Sequence, residues 1–111
     1  MQIDVQQQAA VTVLTPKGPL LGSDAVTLRN SISEALRDNM GRVVLDASKI
    51  PYTDSKGLEM IYELGSELVE QGRVFKLAGA NETLREVLAL TEVGAHCEQF
   101  DDVGTAVRSY S

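Results

Sequence analysis

The side chains able to do chemistry in this sequence gather in one stretch, Leu45 to Leu58, which reads Leu-Asp-Ala-Ser-Lys-Ile-Pro-Tyr-Thr-Asp-Ser-Lys-Gly-Leu. Within it Ser55 directly follows Asp54 and precedes Lys56, Gly57 and Leu58. A serine where a loop turns into a helix lies at the positive end of that helix, where free N–H groups and the macrodipole favour added negative charge. The chemistry this allows is acceptance of a phosphate, which would place about −1.5 to −2 charge beside Asp54 and repel a partner surface shaped for a neutral hydroxyl. The plainer alternative is that Asp54 or Ser55 is the N-cap, a position such residues dominate in any protein. Spacing alone favours that alternative.

Other chemistries find less support. A nucleophile elbow, Gly-x-Ser-x-Gly, would need glycine where Thr53 stands, and only Gly57 is in place. No Gly-rich phosphate loop is present. Asp46 ends a strand-like run, as a receiver-type phosphoaspartate would, but the early strands lack the acidic pair that holds a metal ion there. His96 is the only histidine, and with Cys97 it shows no zinc-site spacing. Cys97 reads as a small apolar residue, its thiol pKa raised by Glu98, Asp101 and Asp102. Of the tyrosines, Tyr62 and Tyr110 fall on apolar helix faces and are expected in the core, with Tyr52 left for an interface. No catalytic residue, metal or cofactor is expected.

These residues need a frame, and the chain supplies one domain's worth over residues 1–111. Hydrophobic residues make up 43% and charged residues 23%, enough for a core without disulfide or metal. A formal charge of −6 with ten scattered basic residues argues against nucleic acid. Neither a signal peptide nor a run near the roughly 20 apolar residues of a membrane span is seen, so a cytoplasmic location without membrane insertion is expected.

Residues 3–8 and 10–15 read as an opening hairpin, broken at Pro16-Lys17-Gly18-Pro19. Gly22-Ser23-Asp24 offers caps for a helix carrying Ala25, Leu28, Ile32, Ala35 and Leu36 and ending near Gly41. Val43-Val44-Leu45 reads as a central strand. Leu58, Ile61, Tyr62, Gly65, Leu68 and Val69 give a second helix that stops at Gln71-Gly72. Val74, Phe75 and Leu77 form a strand, Asn81 caps a helix with Leu84, Val87 and Leu88, a short strand ends at Phe100, and a last helix carries Val103, Ala106, Val107 and Tyr110. The order β-β-α-β-α-β-α-β-α implies an α/β domain: a mixed sheet, antiparallel at its opening and parallel in its centre, with four helices.

On the residues Leu45-Asp46 and Asp54-Ser55-Lys56-Gly57-Leu58, and on the order of elements, the sequence resembles the STAS family, the sulfate-transporter and anti-sigma-factor-antagonist domains. Resemblance to the antagonist branch implies that Ser55 is phosphorylated by a partner serine kinase that doubles as an anti-sigma factor. It implies a phosphatase that reverses the modification, and a docking surface of Gly22, Ser23, Asp54, Ser55, Lys56, Gly57 and Leu58. Two departures stand out. Lys56 replaces the usual small residue, and would either pair with a phosphate or obstruct the partner. Gly18-Pro19-Leu20-Leu21 lacks the acid that commonly follows its leucine. The alternative the same resemblance allows is a constitutive STAS subunit of a larger complex such as a lipid-transport ABC system.

Overall fold

All five strands succeed one another in space as they do in sequence, and that fixes which face each helix covers. The computed structural model describes residues 1–111. Its sheet runs β1 (Gln2–Gln8), β2 (Val11–Lys17), β3 (Val43–Asp46), β4 (Phe75–Ala78) and β5 (Cys97–Phe100), in that spatial order. Only the β1–β2 pair is antiparallel. Each later strand adds to the same side of the last through a right-handed crossover, so the three crossover helices fall on one face. These are α1 (Asp24–Asp38), α2 (Ser55–Glu70) and α3 (Glu82–Leu90), followed by a 3₁₀ turn over Glu92–His96. The opposite face is left to α4 (Val103–Arg108), a single short helix after β5. The expected mixed sheet, strand directions and four helices are all present, and the 3₁₀ turn is an addition.

Alternation along the strands divides the core accordingly. Leu14, Val43, Leu45, Phe75 and Leu77 join Leu28 and Ile32 of α1, Met60, Ile61, Leu64 and Leu68 of α2, and Leu84 and Leu88 of α3. Val11, Val13, Val44 and Ala78 face the other way and meet Ala106 of α4. Lys76 also faces α4 and is only 7% exposed. Its ammonium donates to Glu98 (3.0 Å) and Ser109 (2.8 Å) and lies 4.6 Å from the centroid of the Tyr110 ring. A charge so buried is tolerated because it is paired and faces an aromatic surface.

Several boundaries move for physical reasons. β2 continues through Pro16 and Lys17, where the sequence reading had a break. On the side of β2 that faces β3, the Thr12 N–H donates to the Arg42 carbonyl, just before β3, and past the end of β2 the Gly18 N–H donates to the Lys49 carbonyl, in the loop after β3. The parallel ladder ends at Leu14↔Leu45, so the N–H that Pro16 lacks falls where no ladder bond is required. Val74 lies outside β4, and Tyr62, expected in the core, is 38% exposed with its ring 6.0 Å from that of His96. Tyr110 is half-buried, its hydroxyl donating to the Val43 carbonyl at 2.7 Å. Ser23, read as a cap for α1, has helical backbone angles and makes no side-chain cap bond.

Candidate functional site

The site lies at the C-terminal edge of the parallel strands, where open α/β sheets place their functional loops. Asp46 closes β3 there and is fully used in holding the edge together: one carboxylate oxygen accepts from the Thr15 hydroxyl (3.1 Å), the other from the Ser48 N–H (3.0 Å). Beyond it the chain crosses to α2 under restraint from both sides. Asn81 caps α3 through its oxygen on the Leu84 N–H (2.8 Å), while its amide donates to the Pro51 carbonyl (2.9 Å). On the other flank Leu20 is completely buried. Its N–H donates to the Tyr52 carbonyl (3.1 Å), and its carbonyl accepts from the Asp54 N–H (3.2 Å) and the Thr53 hydroxyl (2.9 Å). A single parallel bridge, Leu20↔Thr53, thus zips the segment before α1 to the loop before α2.

Asp54 is the N-cap of α2. One carboxylate oxygen accepts from the Gly57 N–H (3.1 Å), the cap bond proper, and the other from the Gly22 N–H (2.8 Å). These donors, Gly22 first and Gly57 second, hold the carboxyl below the usual carboxylate range. One side chain therefore fixes the start of α2 and ties it to the turn that opens α1. Gly57 is dictated by the same packing: a Cβ there would collide with the Thr53 hydroxyl oxygen and lie 3.0 Å from Leu20. Of the two cap candidates in the sequence, Asp54 takes the role and Ser55 does not.

Ser55 is the first residue of α2 and is exposed. It borders a groove of about 350 Å³ with Leu58, Glu59, Tyr62, Glu92 and Val93. Lys56 turns away, lining a second groove with Gly22, Val26 and Glu63, and Glu59 borders both. Two consecutive residues of the motif therefore serve opposite sides of the first turn of α2. Of the expected site residues, Gly22, Asp54 and Gly57 are joined by hydrogen bonds, Ser55 and Leu58 share a groove, and Ser23 is exposed at the start of α1. Tyr62, Glu92 and Val93 were missed. Tyr62 stands seven residues after Ser55 on the same helical face, a signal present in the sequence, whereas Glu92 and Val93 reach the groove through the 3₁₀ turn.

The remaining candidates stand apart from this end. His96 closes the 3₁₀ turn, packed so closely on α2 that a Cβ at Gly65 would lie 3.1 Å from His96 Cβ. Burial pushes the Cys97 thiol up to about 11; the expected direction is present, but desolvation rather than the neighbouring acids is its cause. No helix is long and apolar enough to cross a membrane.

The STAS domain model matches residues 2–106. No curated protein matches the chain at the level of sequence. Among solved structures, the chain is similar to a putative anti-sigma factor antagonist from Thermotoga maritima, with a TM-score of 0.84, 21% identity and coverage of 96% of this chain and 92% of that one. It is also similar to the Bacillus cell-fate determinant SpoIIAA in its phosphorylated form, with a TM-score of 0.73, 16% identity and coverage of 99% and 100%. A murine solute-carrier anion transporter aligns at a TM-score of 0.75 and 20% identity, over 94% of this chain and 18% of the transporter. At these identities the likenesses are of fold.

Proposed function

The chain belongs to the STAS domain family, and from that premise we propose that it acts as an anti-sigma-factor-antagonist-like regulatory binding protein in a partner-switching pathway. Ser55 is the phosphoacceptor, a cognate anti-sigma factor with serine-kinase activity is the partner, and a phosphatase resets the state. The chain carries out no catalysis of its own. The observation that supports this reading most is the division of labour at the head of α2: Asp54 does the capping, and Ser55, one residue on, is left exposed on a backbone locked from three sides.

The electrostatics give the switch its sign. A phosphate on Ser55 would sit at the positive end of a 16-residue helix, which favours its formation. It would also add about −1.5 to −2 charge to a groove already bordered by Glu59 and Glu92 and floored by Leu58 and Val93. A partner surface that covers the groove around a neutral hydroxyl would have to desolvate that charge, so phosphorylation releases it. Lys56, lining the neighbouring groove, is a contact for the partner rather than for the phosphate.

The test is capture of partners from the native organism with wild-type, Ser55→Ala and Ser55→Asp proteins. Recovery of a serine kinase by wild-type and Ser55→Ala, with at least about tenfold less on Ser55→Asp, is expected. Partners held equally by all three would support the second reading, a constitutive subunit of a larger complex. The fold likeness to 18% of an anion transporter's chain favours that alternative.

A further inference from the structure

The opposite end of the α1–α2 pair, at the N-terminal edge of the parallel strands, has a third groove, of about 370 Å³. Three of the chain's six arginines, Arg29, Arg37 and Arg73, line it against one acid, Glu67. In a chain of net charge −6 this is a local reversal of sign. Arg29 is committed to Glu67 and, at 3.9 Å, to Glu63, while Arg37 and Arg73 form no ion pair. Arg37 complements the negative end of α1, but the sequence position of Arg73, just before β4, has no such explanation.

The turn after α1 shapes one side of the groove. Gly41 has φ +82, and a Cβ there would lie 2.5 Å from Nη1 and 2.8 Å from Cζ of Arg73, so the missing side chain leaves room for the guanidinium to lie on the backbone. Next to it Met40 is a non-glycine residue at φ +55, a conformation that costs about 1 kcal/mol. Its side chain is 76% exposed at the rim. The turn that carries it is not loose: the two N–H groups of the Asn39 amide are shared among the Ala10 carbonyl (2.9 Å), the Thr12 hydroxyl (2.9 Å) and the Arg42 carbonyl (3.2 Å). Leu36, Leu64 and Leu68 supply the floor. The turn closes α1 as an ordinary left-handed cap, with the Gly41 N–H donating to the Leu36 carbonyl (3.0 Å) and Met40 one residue past the cap, and it sets an adaptable thioether at the rim of the groove.

We propose that this groove binds a small amphipathic anion, with its oxyanion headgroup held by Arg37 and Arg73 and its apolar tail on Leu36, Leu64 and Leu68 beneath Met40. Its size falls in the small-molecule range of roughly 300–1,000 Å³, and an apolar floor with a few convergent polar groups is the usual composition of such sites. Guanidinium groups recognise carboxylate and phosphate oxygens with two parallel hydrogen bonds, which fixes the headgroup class. The ligand is a free molecule and not a membrane lipid, because three arginines, one of them paired with Glu67, fall short of the basic cluster that holds a protein on an anionic bilayer. The site is independent of Ser55 and of any role for it.

The experiment is amide chemical-shift titration of the full chain with octanoate and octyl phosphate, with octanol, inorganic phosphate and anionic phospholipid vesicles as the comparison arms. Octanoate or octyl phosphate is expected to shift Arg37, Met40, Gly41, Gln71 and Arg73 with a dissociation constant of about 1 mM or tighter. Octanol and inorganic phosphate should bind at least about tenfold more weakly, and Arg37→Gln and Arg73→Gln should each lose about tenfold. Equal response to octanol, no response to either octyl anion, binding to vesicles alone, or unchanged affinity in both arginine variants would overturn the proposal.

Discussion

At the end of the α1–α2 pair that carries Ser55, short polar groups and backbone fix the exposed surface; at the opposite end, long side chains surround it. Asp54 spans two loops with two hydrogen bonds, Leu20 is zipped to Thr53, and Gly57 lets the helix close on both. Across the pair, the groove walls are arginines and a methionine over a leucine floor, and Arg37, Arg73 and Met40 are all exposed. The first end presents one small hydroxyl at a fixed place, suited to an event as local as a phosphate. The second offers exposed, unpaired charge around an apolar hollow, which suits a ligand that must enter and leave.

The contrast breaks most sharply at Gly57. Gly57→Ala would displace the Thr53 hydroxyl from its bond to the Leu20 carbonyl and press on Leu20 itself, so a loss of about 2–3 kcal/mol in denaturant unfolding is expected. Gly72→Ala is the comparison, since nothing lies within 4 Å of its Cβ position and only its φ of +74 is at stake; about 1 kcal/mol is expected. Equal losses at the two sites would mean that the Ser55 end is no tighter than an ordinary turn.

Asp54 sharpens the same comparison against another capping aspartate. Asp102 caps α4 through the Thr105 N–H (2.7 Å), and that backbone bond, then the Thr105 side chain, lowers its pKa as well. Asp54 joins two helices and Asp102 serves one, so Asp54→Ala should lower the unfolding midpoint more than Asp102→Ala does. Hydrogen exchange at the Gly22 amide should accelerate only in the former. A carboxyl whose folded pKa is depressed contributes stability that is present above its unfolded value and lost as pH falls through its folded value. The gap between wild type and Asp54→Ala should therefore be full at neutral pH and close below about pH 4; a gap that persisted at pH 2 would show that the side chain acts by packing rather than by its charge.

What could be read in the sequence follows the range of the forces involved. Residues 54 to 58 are contiguous, so the cap, the exposed serine and the obligatory glycine form a local pattern, and the amphipathic spacings of α2 and α3 likewise reflect one face meeting one sheet. The Asp54–Gly22 bond joins residues 32 apart and had no local sign, which is why Ser23 read as the cap and Asp54 as one of two candidates. β2 was cut short at Pro16 because a proline breaks strands in general, whereas here the ladder on that side has already ended. Lys76 stands between Phe75 and Leu77, and its acceptors Glu98 and Ser109 arrive only with β5 and the C-terminal turn. The arginine groove was invisible for the same reason, since its walls come from α1, the turn after it, α2 and the turn before β4.

The smallest expected effect separates holding from binding. Replacing both Arg37 and Arg73 by glutamine removes two charges that form no ion pair on residues that are exposed, so stability should stay within about 0.5 kcal/mol of wild type. Removing positive charge from a chain of net charge −6 adds to its self-repulsion, so any small change should be a loss that salt relieves. A loss comparable to that at Gly57 would instead make the guanidiniums part of the frame, and the two ends of the helix pair would then differ in the length of their side chains but not in what those side chains are for.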